Sequence, residues 1–267
     1  MKNKKKRVRE IADYIKFVFP MLVLYILFFI FPLFQTIGYS FTDYNGINPR
    51  KEFTGLTNYV DVFQDKWFYN SMLFTGKSVI LMILLANVLG FLLALALNTK
   101  IKSRNILRAI VFCPFVFNNV TVGFIWQFLL GRFMTDLYPL TGWKVFNIGW
   151  LSDSSLVLYS VVFVKLWQSI GYFMVIYLAG LQLLPQDPLE AAVLDGCTGI
   201  KMIRYITIPL MKPTAFVCIF LAITESLNMF PLIMSLTNGG PGHASENISL
   251  YIYNEAFKSH RMGYASA

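Results

Sequence analysis

The chain is poor in charged residues. Only 14% of its 267 residues are Asp, Glu, Lys or Arg, and 56% are hydrophobic, whereas soluble domains carry about 25% charged residues. A chain with so little polar surface cannot fold as a soluble globule, which excludes the soluble classes of protein.

The chain also has little of the chemistry that metal sites and enzymes use. Its three cysteines and two histidines have spacings that fit neither a disulfide framework nor a metal site. The string Gly76-Lys77-Ser78 resembles the end of a phosphate-binding loop, but position 71, where that motif needs glycine, is serine. The sequence shows no Ser/His/Asp or paired-carboxylate arrangement. We therefore expect no enzyme, no metal and no cofactor on this chain.

What the chain has instead is a series of long apolar runs. Each is long enough, at about 1.5 Å per residue, to cross a hydrocarbon core of about 30 Å. The runs predict an all-α membrane protein with one domain over residues 1–267 and about five spanning helices. We expect the spans near residues 17–40, 78–98, 107–131, 156–183 and 214–237. Pro32, Pro114 and Pro231 are expected to break or kink their helices.

The net charge of +9 reports topology rather than nucleic-acid binding. Basic residues crowd three segments, which all lie on the cytoplasmic side if the N-terminus (1–16) is inside, as the positive-inside rule requires. The clusters are Lys2, Lys4, Lys5, Lys6, Arg7 and Arg9; Lys100, Lys102, Arg104 and Arg108; and Lys201, Arg204 and Lys212. We expect these segments to contact anionic lipid.

A polar loop, residues 184–213, separates the last two apolar runs. It carries Glu190-Ala191-Ala192, then Gly196, Ile206 and Ile208-Pro209. Asp187 is placed to cap a helix that starts at Pro188, and glycine at 196 suits the left-handed conformation that ends helices. A second short helix with Ile203, Ile206 and Leu210 on one face is expected to stop near Pro209.

The spacing in this loop resembles the EAA loop of ATP-binding cassette importer permeases. That pattern is EAA, three residues, Gly, nine residues, Ile, one residue, Leu-Pro, and only Ile208 departs from it. Shorter strings point to the carbohydrate, maltose-type subgroup and to the first of its two membrane subunits. They are Asn58-Tyr59, Trp167 to Tyr172, Tyr177 to Gln182 and Asn238-Gly239-Gly240-Pro241-Gly242.

The resemblance implies a type I importer transmembrane domain in a bacterial-type inner membrane. It implies four kinds of partner: the lipid bilayer, a second homologous permease, two ATPase subunits that hold ATP and Mg, and an extracytoplasmic solute-binding protein. It also implies a sixth span after the outer loop, residues 238–263, so we expect that the final helix is missing here. The residues expected to couple to the ATPase are Glu190, Ala191, Ala192, Asp195, Gly196, Ile206 and Pro209.

Ionisable residues inside the membrane are functional-site hypotheses, because burying charge in lipid is expensive. The two are Lys165 and Glu225, at matching depths of about 13 and 16 Å by helical rise, so we expect both to face the bundle interior and to pair. With their neighbours they offer the polar groups and aromatic faces that bind a sugar, although such residues also hold helices together. The substrate-path candidates are Lys165, Trp167, Gln168, Tyr172, Glu225, Asn228 and Phe230.

Two functions compete. The first is a permease subunit that imports a sugar or oligosaccharide and receives motion from a separate ATPase through its EAA loop. The second is an ion-coupled secondary carrier without an ATPase, in which Glu225 binds a proton. The EAA loop favours the first, because an ion-coupled carrier has no need of it.

Overall fold

The computed structural model describes residues 15–48, 50–99 and 102–267. Apart from an isolated antiparallel bridge between Thr42 and Phe53, these residues form no strand. The basic residues between positions 2 and 9, and Lys100, lie outside the described part of the chain.

The helices are α1 (Ile15–Ser40), α2 (Thr57–Gln64), α3 (Lys66–Leu97), α4 (Arg104–Val116, its last turn a 3-10 helix), α5 (Asn119–Thr141), α6 (Val157–Gln182), α7 (Gln186–Leu194), α8 (Ile200–Leu210), α9 (Lys212–Leu227), α10 (Phe230–Leu236), α11 (Ile248–Tyr253) and α12 (Met262–Ser266).

Among the described residues, α1, α3 and α6 are long and apolar enough to cross a membrane. Two further pairs of helices pass the same test together but are strongly bent. The pair α4 and α5 is bent by 94°, and the pair α8 and α9 by 70°. The described chain therefore offers three spans, or up to five if each bent pair crosses once.

Two of the expected spans are interrupted. The chain leaves helical structure at Phe117–Asn118, within the expected span 107–131, and again at Asn228–Met229, within 214–237. Pro114 lies in the 3-10 turn before the first junction and Pro231 lies in the first turn of α10, where a missing N–H is tolerated. Pro32, in contrast, does not break α1, which continues to Ser40 after a π-helical stretch at Ile26–Ile30.

The helix around the expected span 78–98 is longer than the apolar run, because α3 begins at Lys66. Gly76, Lys77 and Ser78 lie inside this helix. Hydropathy marks where a helix is apolar, whereas the backbone hydrogen bonds continue through the polar turns before it.

The described residues divide into two compact units, one made of those up to Asp65 with Ile252–Ala267 and the other of those in Lys66–Tyr251. In the larger unit, α6 packs against α3, α4 and α9, and α5 packs against α10. Small residues allow the close approaches: a Cβ at Gly90 of α3 would lie 2.8 Å from the Cβ of Phe173 in α6. Apolar side chains fill the centre of this unit, among them Met82, Ala86, Val161, Phe173 and Met174, all fully buried.

In the smaller unit, α2 is tied to the end of α1. The Asn58 side chain donates hydrogen bonds from Nδ2 to the backbone oxygens of Ser40 (2.9 Å) and Thr42 (2.8 Å). The intervening loop is closed at its base, where the Asp43 N–H donates to the Glu52 oxygen at 3.1 Å. The Asn58 side chain therefore satisfies carbonyls at and just after the end of α1, and it does not cap its own helix.

Candidate functional site

The motif Glu190-Ala191-Ala192 lies on α7, which runs from Gln186 to Leu194. The helix begins two residues earlier than expected. Pro185 occupies the N-cap position with no side-chain cap, so the prediction of an Asp187 N-cap is wrong. Asp187 lies in the first turn, where a carboxylate still interacts favourably with the helix dipole.

Glycine at 196 ends α7 in the expected way. Gly196 has a φ of +74°, and its N–H donates to the Val193 oxygen at 3.0 Å. The next N–H, from Cys197, donates to the Ala192 oxygen at 2.8 Å. These two bonds form a Schellman motif, the common left-handed cap that satisfies the last carbonyls of a helix. The end of α7 is therefore fixed by the local sequence.

The surface of this loop includes two large apolar side chains. Ala192 is buried against its own chain, with 6% of its surface exposed, while Leu194 is 89% exposed and Ile200 is 82% exposed. Ala191, Asp195 and Gly196 are exposed as well. Exposed apolar side chains are common on this chain, for example Phe17 (85%) and Leu183 (83%), so Leu194 and Ile200 are distinguished by their position beside the EAA motif.

The second helix of the loop, α8, has the predicted amphipathic character. Ile203, Ile206 and Leu210 are partly buried, and Lys201 and Arg204 are exposed. Pro209 lies one residue before the end of α8, after which the chain bends by 70° into α9. The described helix bounds therefore agree with the expected stop near Pro209.

Inside the larger unit, Lys165 and Glu225 form an ion pair. The Lys165 Nζ lies 2.6 Å from the Glu225 Oε2, with the lysine side chain 3% exposed and the glutamate side chain 28% exposed. The prediction that these two residues pair is confirmed. The contact joins the middle of α6 to the last turn of α9, three residues before the junction at Asn228.

Gln168, which follows Lys165 by three residues on α6, contacts the junction between α4 and α5. Its Nε2 donates a hydrogen bond of 2.9 Å to the Phe117 carbonyl oxygen, at the point where α4 ends and α5 has not begun. On the other side of that junction, the Asn118 side chain accepts from the Val120 N–H at 2.8 Å and caps α5. Backbone groups freed by the break are thus satisfied by side chains, as buried polar groups must be. Gln168 is 3% exposed, and its Oε1 has no partner among the described residues.

The remaining candidates lie in three places. Tyr172 shares a face of α6 with Lys165 and Gln168, because the spacings of three, four and seven residues repeat each helical turn. Its ring stacks on Phe115 with centroids 4.5 Å apart. Trp167 lies on the opposite face, in edge contact with Trp126 at 5.4 Å. Asn228 and Phe230 flank the junction between α9 and α10, Asn228 exposed and Phe230 partly buried.

One polar cluster was not anticipated. Ser245, Glu246 and Asn247, which follow the Gly239-Gly240-Pro241-Gly242 loop, are almost fully buried. The His243 Nδ1 lies 2.5 Å from the Glu246 Oε2, although histidine 243 had been assigned no role. The signal in the sequence was a polar run between a glycine-rich turn and an apolar helix. Within the part of the chain that the structure describes, no group of three His, Cys, Asp or Glu residues suits a metal.

Comparison with known proteins shows the family of this chain. Residues 86–257 match the family model described as binding-protein-dependent transport system inner membrane component. The probable starch degradation products transport system permease protein AmyD of Thermoanaerobacterium thermosulfurigenes is 35% identical, over 100% of this chain and 91% of that protein. The trehalose/maltose transport system permease protein MalF of Thermococcus litoralis is 32% identical, over 89% of this chain and 81% of that protein.

A solved structure has the same fold. A chain of a bacterial ABC transporter involved in the import of the acidic polysaccharide alginate superimposes with a TM-score of 0.81 at 22% identity, covering 100% of this chain and 91% of that one. The expected fold class, an all-helical importer transmembrane domain, is confirmed. The chain belongs to the family of binding-protein-dependent transport system inner membrane components.

Proposed function

We propose that this chain is the membrane-spanning subunit of an ATP-driven importer for a sugar or oligosaccharide. The observation that carries the proposal is the loop of α7 and α8: a rigidly capped helix with the EAA motif, next to exposed Leu194 and Ile200. A cleft in an ATPase subunit is the partner that the EAA pattern implies for this loop. The sugar follows from the names of the relatives, which transport starch products, trehalose and maltose.

In this proposal, motion of the ATPase reaches the path through α7, α8 and the bend into α9. The far end of α9 carries Glu225 and the junction at Asn228. Broken helices in transporters line the solute path near the middle of the membrane. The path candidates are therefore the groups around the two junctions, with Lys165, Gln168, Tyr172 and Glu225 on one side and Asn228 and Phe230 beside them.

The assembly should contain two different permeases, two ATPase subunits and an extracytoplasmic binding protein. One chain with five or six spans lines only part of a path, and one EAA loop contacts one ATPase. The N-terminus should be cytoplasmic, which places the EAA loop on the same side as the ATPase. The ion-coupled carrier is disfavoured, because Glu225, its proposed proton site, is already paired with Lys165.

Purification of the complex from membranes, through a tag on this chain, tests the proposal. We expect an ATPase and a second, related permease to co-purify, with ATP hydrolysis stimulated by a sugar-loaded binding protein. The substitution Leu194→Asp should reduce the co-purified ATPase without changing the amount of permease in the membrane. A complex that contains two copies of this chain, no other permease and no ATPase would refute the proposal.

A further inference from the structure

The two members of the buried ion pair are not equally accessible. The Lys165 side chain is 3% exposed, whereas the Glu225 side chain is 28% exposed. Any molecule that reaches this pair from the open side therefore meets the carboxylate first. The ammonium group is shielded, since its charge is compensated at 2.6 Å by the carboxylate.

On α6, α9 and α10, no further charge lies near the pair, whereas α3, which packs against both α6 and α9, carries Lys66 and Lys77 in its N-terminal part. In α6, α9 and α10, the charged residues are Lys165, Glu225 and Lys212, and Lys212 is the first residue of α9. At about 1.5 Å per residue, Lys212 stands about 20 Å along the helix from Glu225. The polar groups nearest to the pair, such as Gln168, are neutral. On these three helices the pair itself carries no net charge, and the carboxylate is its more exposed member.

We propose that the Lys165–Glu225 pair restricts the transported solute to uncharged sugars and excludes acidic ones. The inference rests on the proposed function, because it requires that the pair borders the solute path. A sugar hydroxyl donates readily to a carboxylate oxygen, so an uncharged oligosaccharide gains a charge-assisted hydrogen bond at Glu225. A carboxylate on the solute would instead be held next to a like charge in a poorly solvated site, where the repulsion is strong.

Binding of matched neutral and acidic sugars to the purified complex tests the inference. The probes are maltotriose, cellotriose and raffinose, each also in a form in which one C6 hydroxymethyl group is oxidised to a carboxylate. Equilibrium binding is measured directly on the permease–ATPase complex without the binding protein, so that selection by the binding protein does not enter. We expect the wild type to prefer the neutral form of the sugar that it binds by about tenfold or more, as for other like-charge juxtapositions.

The substitution Glu225→Gln should reverse this preference, because it leaves Lys165 uncompensated and favours a carboxylate. The double change Lys165→Met with Glu225→Gln removes both charges and should abolish the preference. It replaces the single variant in this test if Glu225→Gln alone fails to fold. Asp136→Asn is the matched control: it removes one acidic group from an exposed pair with Arg132 at 3.8 Å, and should leave the preference unchanged.

These outcomes distinguish a failure of the charge inference from a failure of the proposed function. Equal affinity of the wild type for neutral and acidic forms, or a preference that survives Glu225→Gln and the double change, overturns the charge inference and leaves the importer in place. A complex that binds none of the probes and contains no ATPase overturns the proposed function and the inference with it.

Discussion

Gly171 of α6 packs directly on the backbone of α4: a Cβ at this position would lie 2.6 Å from the Phe112 Cα and closer still to the Val111 carbonyl. Because the obstruction is backbone, it cannot rotate away. We expect Gly171→Ala to push α4 from α6 and to destabilise the subunit by about 1–3 kcal/mol, the usual cost of overpacking. Thermal unfolding of the purified subunit measures the effect.

Gly76 offers the matched control for that change. It lies in the interior of α3, and a Cβ there would meet nothing within 4 Å. The same glycine-to-alanine substitution should leave stability unchanged or raise it by about 0.5–1 kcal/mol, since alanine has the higher helix propensity. An equal loss of stability in both variants would contradict the packing argument.

The ion pair between Lys165 and Glu225 predicts a pattern of non-additive stability. Lys165→Met alone should cost about 3–5 kcal/mol, because it leaves the glutamate partly buried without its counter-ion. Glu225→Gln alone should also be destabilising, because it strands the lysine, the more deeply buried member. The double variant should be more stable than either single variant. Thermal unfolding and membrane yield of all four proteins complete the cycle, and additive effects would show that the pair is not energetically coupled.

The hydrogen bond from Gln168 to Phe117 predicts that this side chain stabilises the junction of α4 and α5. Gln168→Met removes the donor to the Phe117 carbonyl while keeping a similar side-chain volume. We expect a loss of about 1–3 kcal/mol, the cost of leaving a buried acceptor unsatisfied. Ser169→Ala is the neighbouring control, because the Ser169 hydroxyl only donates to the oxygen of Lys165 in its own helix. If both changes have the same small effect, Gln168 does not hold the junction.

Gly196 separates folding of the EAA loop from its contact with a partner. Within this chain a side chain at 196 would meet nothing within 4 Å, although the φ of +74° disfavours most residues. Asparagine tolerates that conformation, so Gly196→Asn should keep both insertion and transport. Gly196→Arg should insert in the membrane but lose transport and sugar-stimulated ATP hydrolysis. Normal transport in the arginine variant would mean that no close contact forms there.

The sequence predicted best where the determinants are local. Gly196 ends α7 because its conformation is a property of one residue, and the match in depth between Lys165 and Glu225 follows from helical rise alone. The junction at Phe117–Asn118 was harder to predict from the sequence. Pro114 indicated an irregularity, but the carbonyl freed at Phe117 is satisfied by Gln168, 51 residues away, and no local pattern encodes such a partner.

The start of α3 and the role of Asn58 were missed for related reasons. Hydropathy located the apolar part of α3 but not the polar turns from Lys66 onward. Asn58 has the chemistry of an N-cap, and its actual acceptors, the Ser40 and Thr42 carbonyls, belong to another helix. Capping rules assume a local partner and give no sign when the partner is remote.

The hydrogen bonds that tie α2 and the preceding loop to the end of α1 have a practical consequence for labelling the protein. The loop between Asp43 and Glu52 is closed at its base, and Ile47 near its tip is 71% exposed. Because loop-closure entropy grows only slowly with loop length, an epitope inserted after Ile47 should leave the end of α1 and the fold of α2 undisturbed. Such an epitope would be accessible to antibody in intact spheroplasts if this loop faces outward, which gives a direct readout of the orientation of the chain.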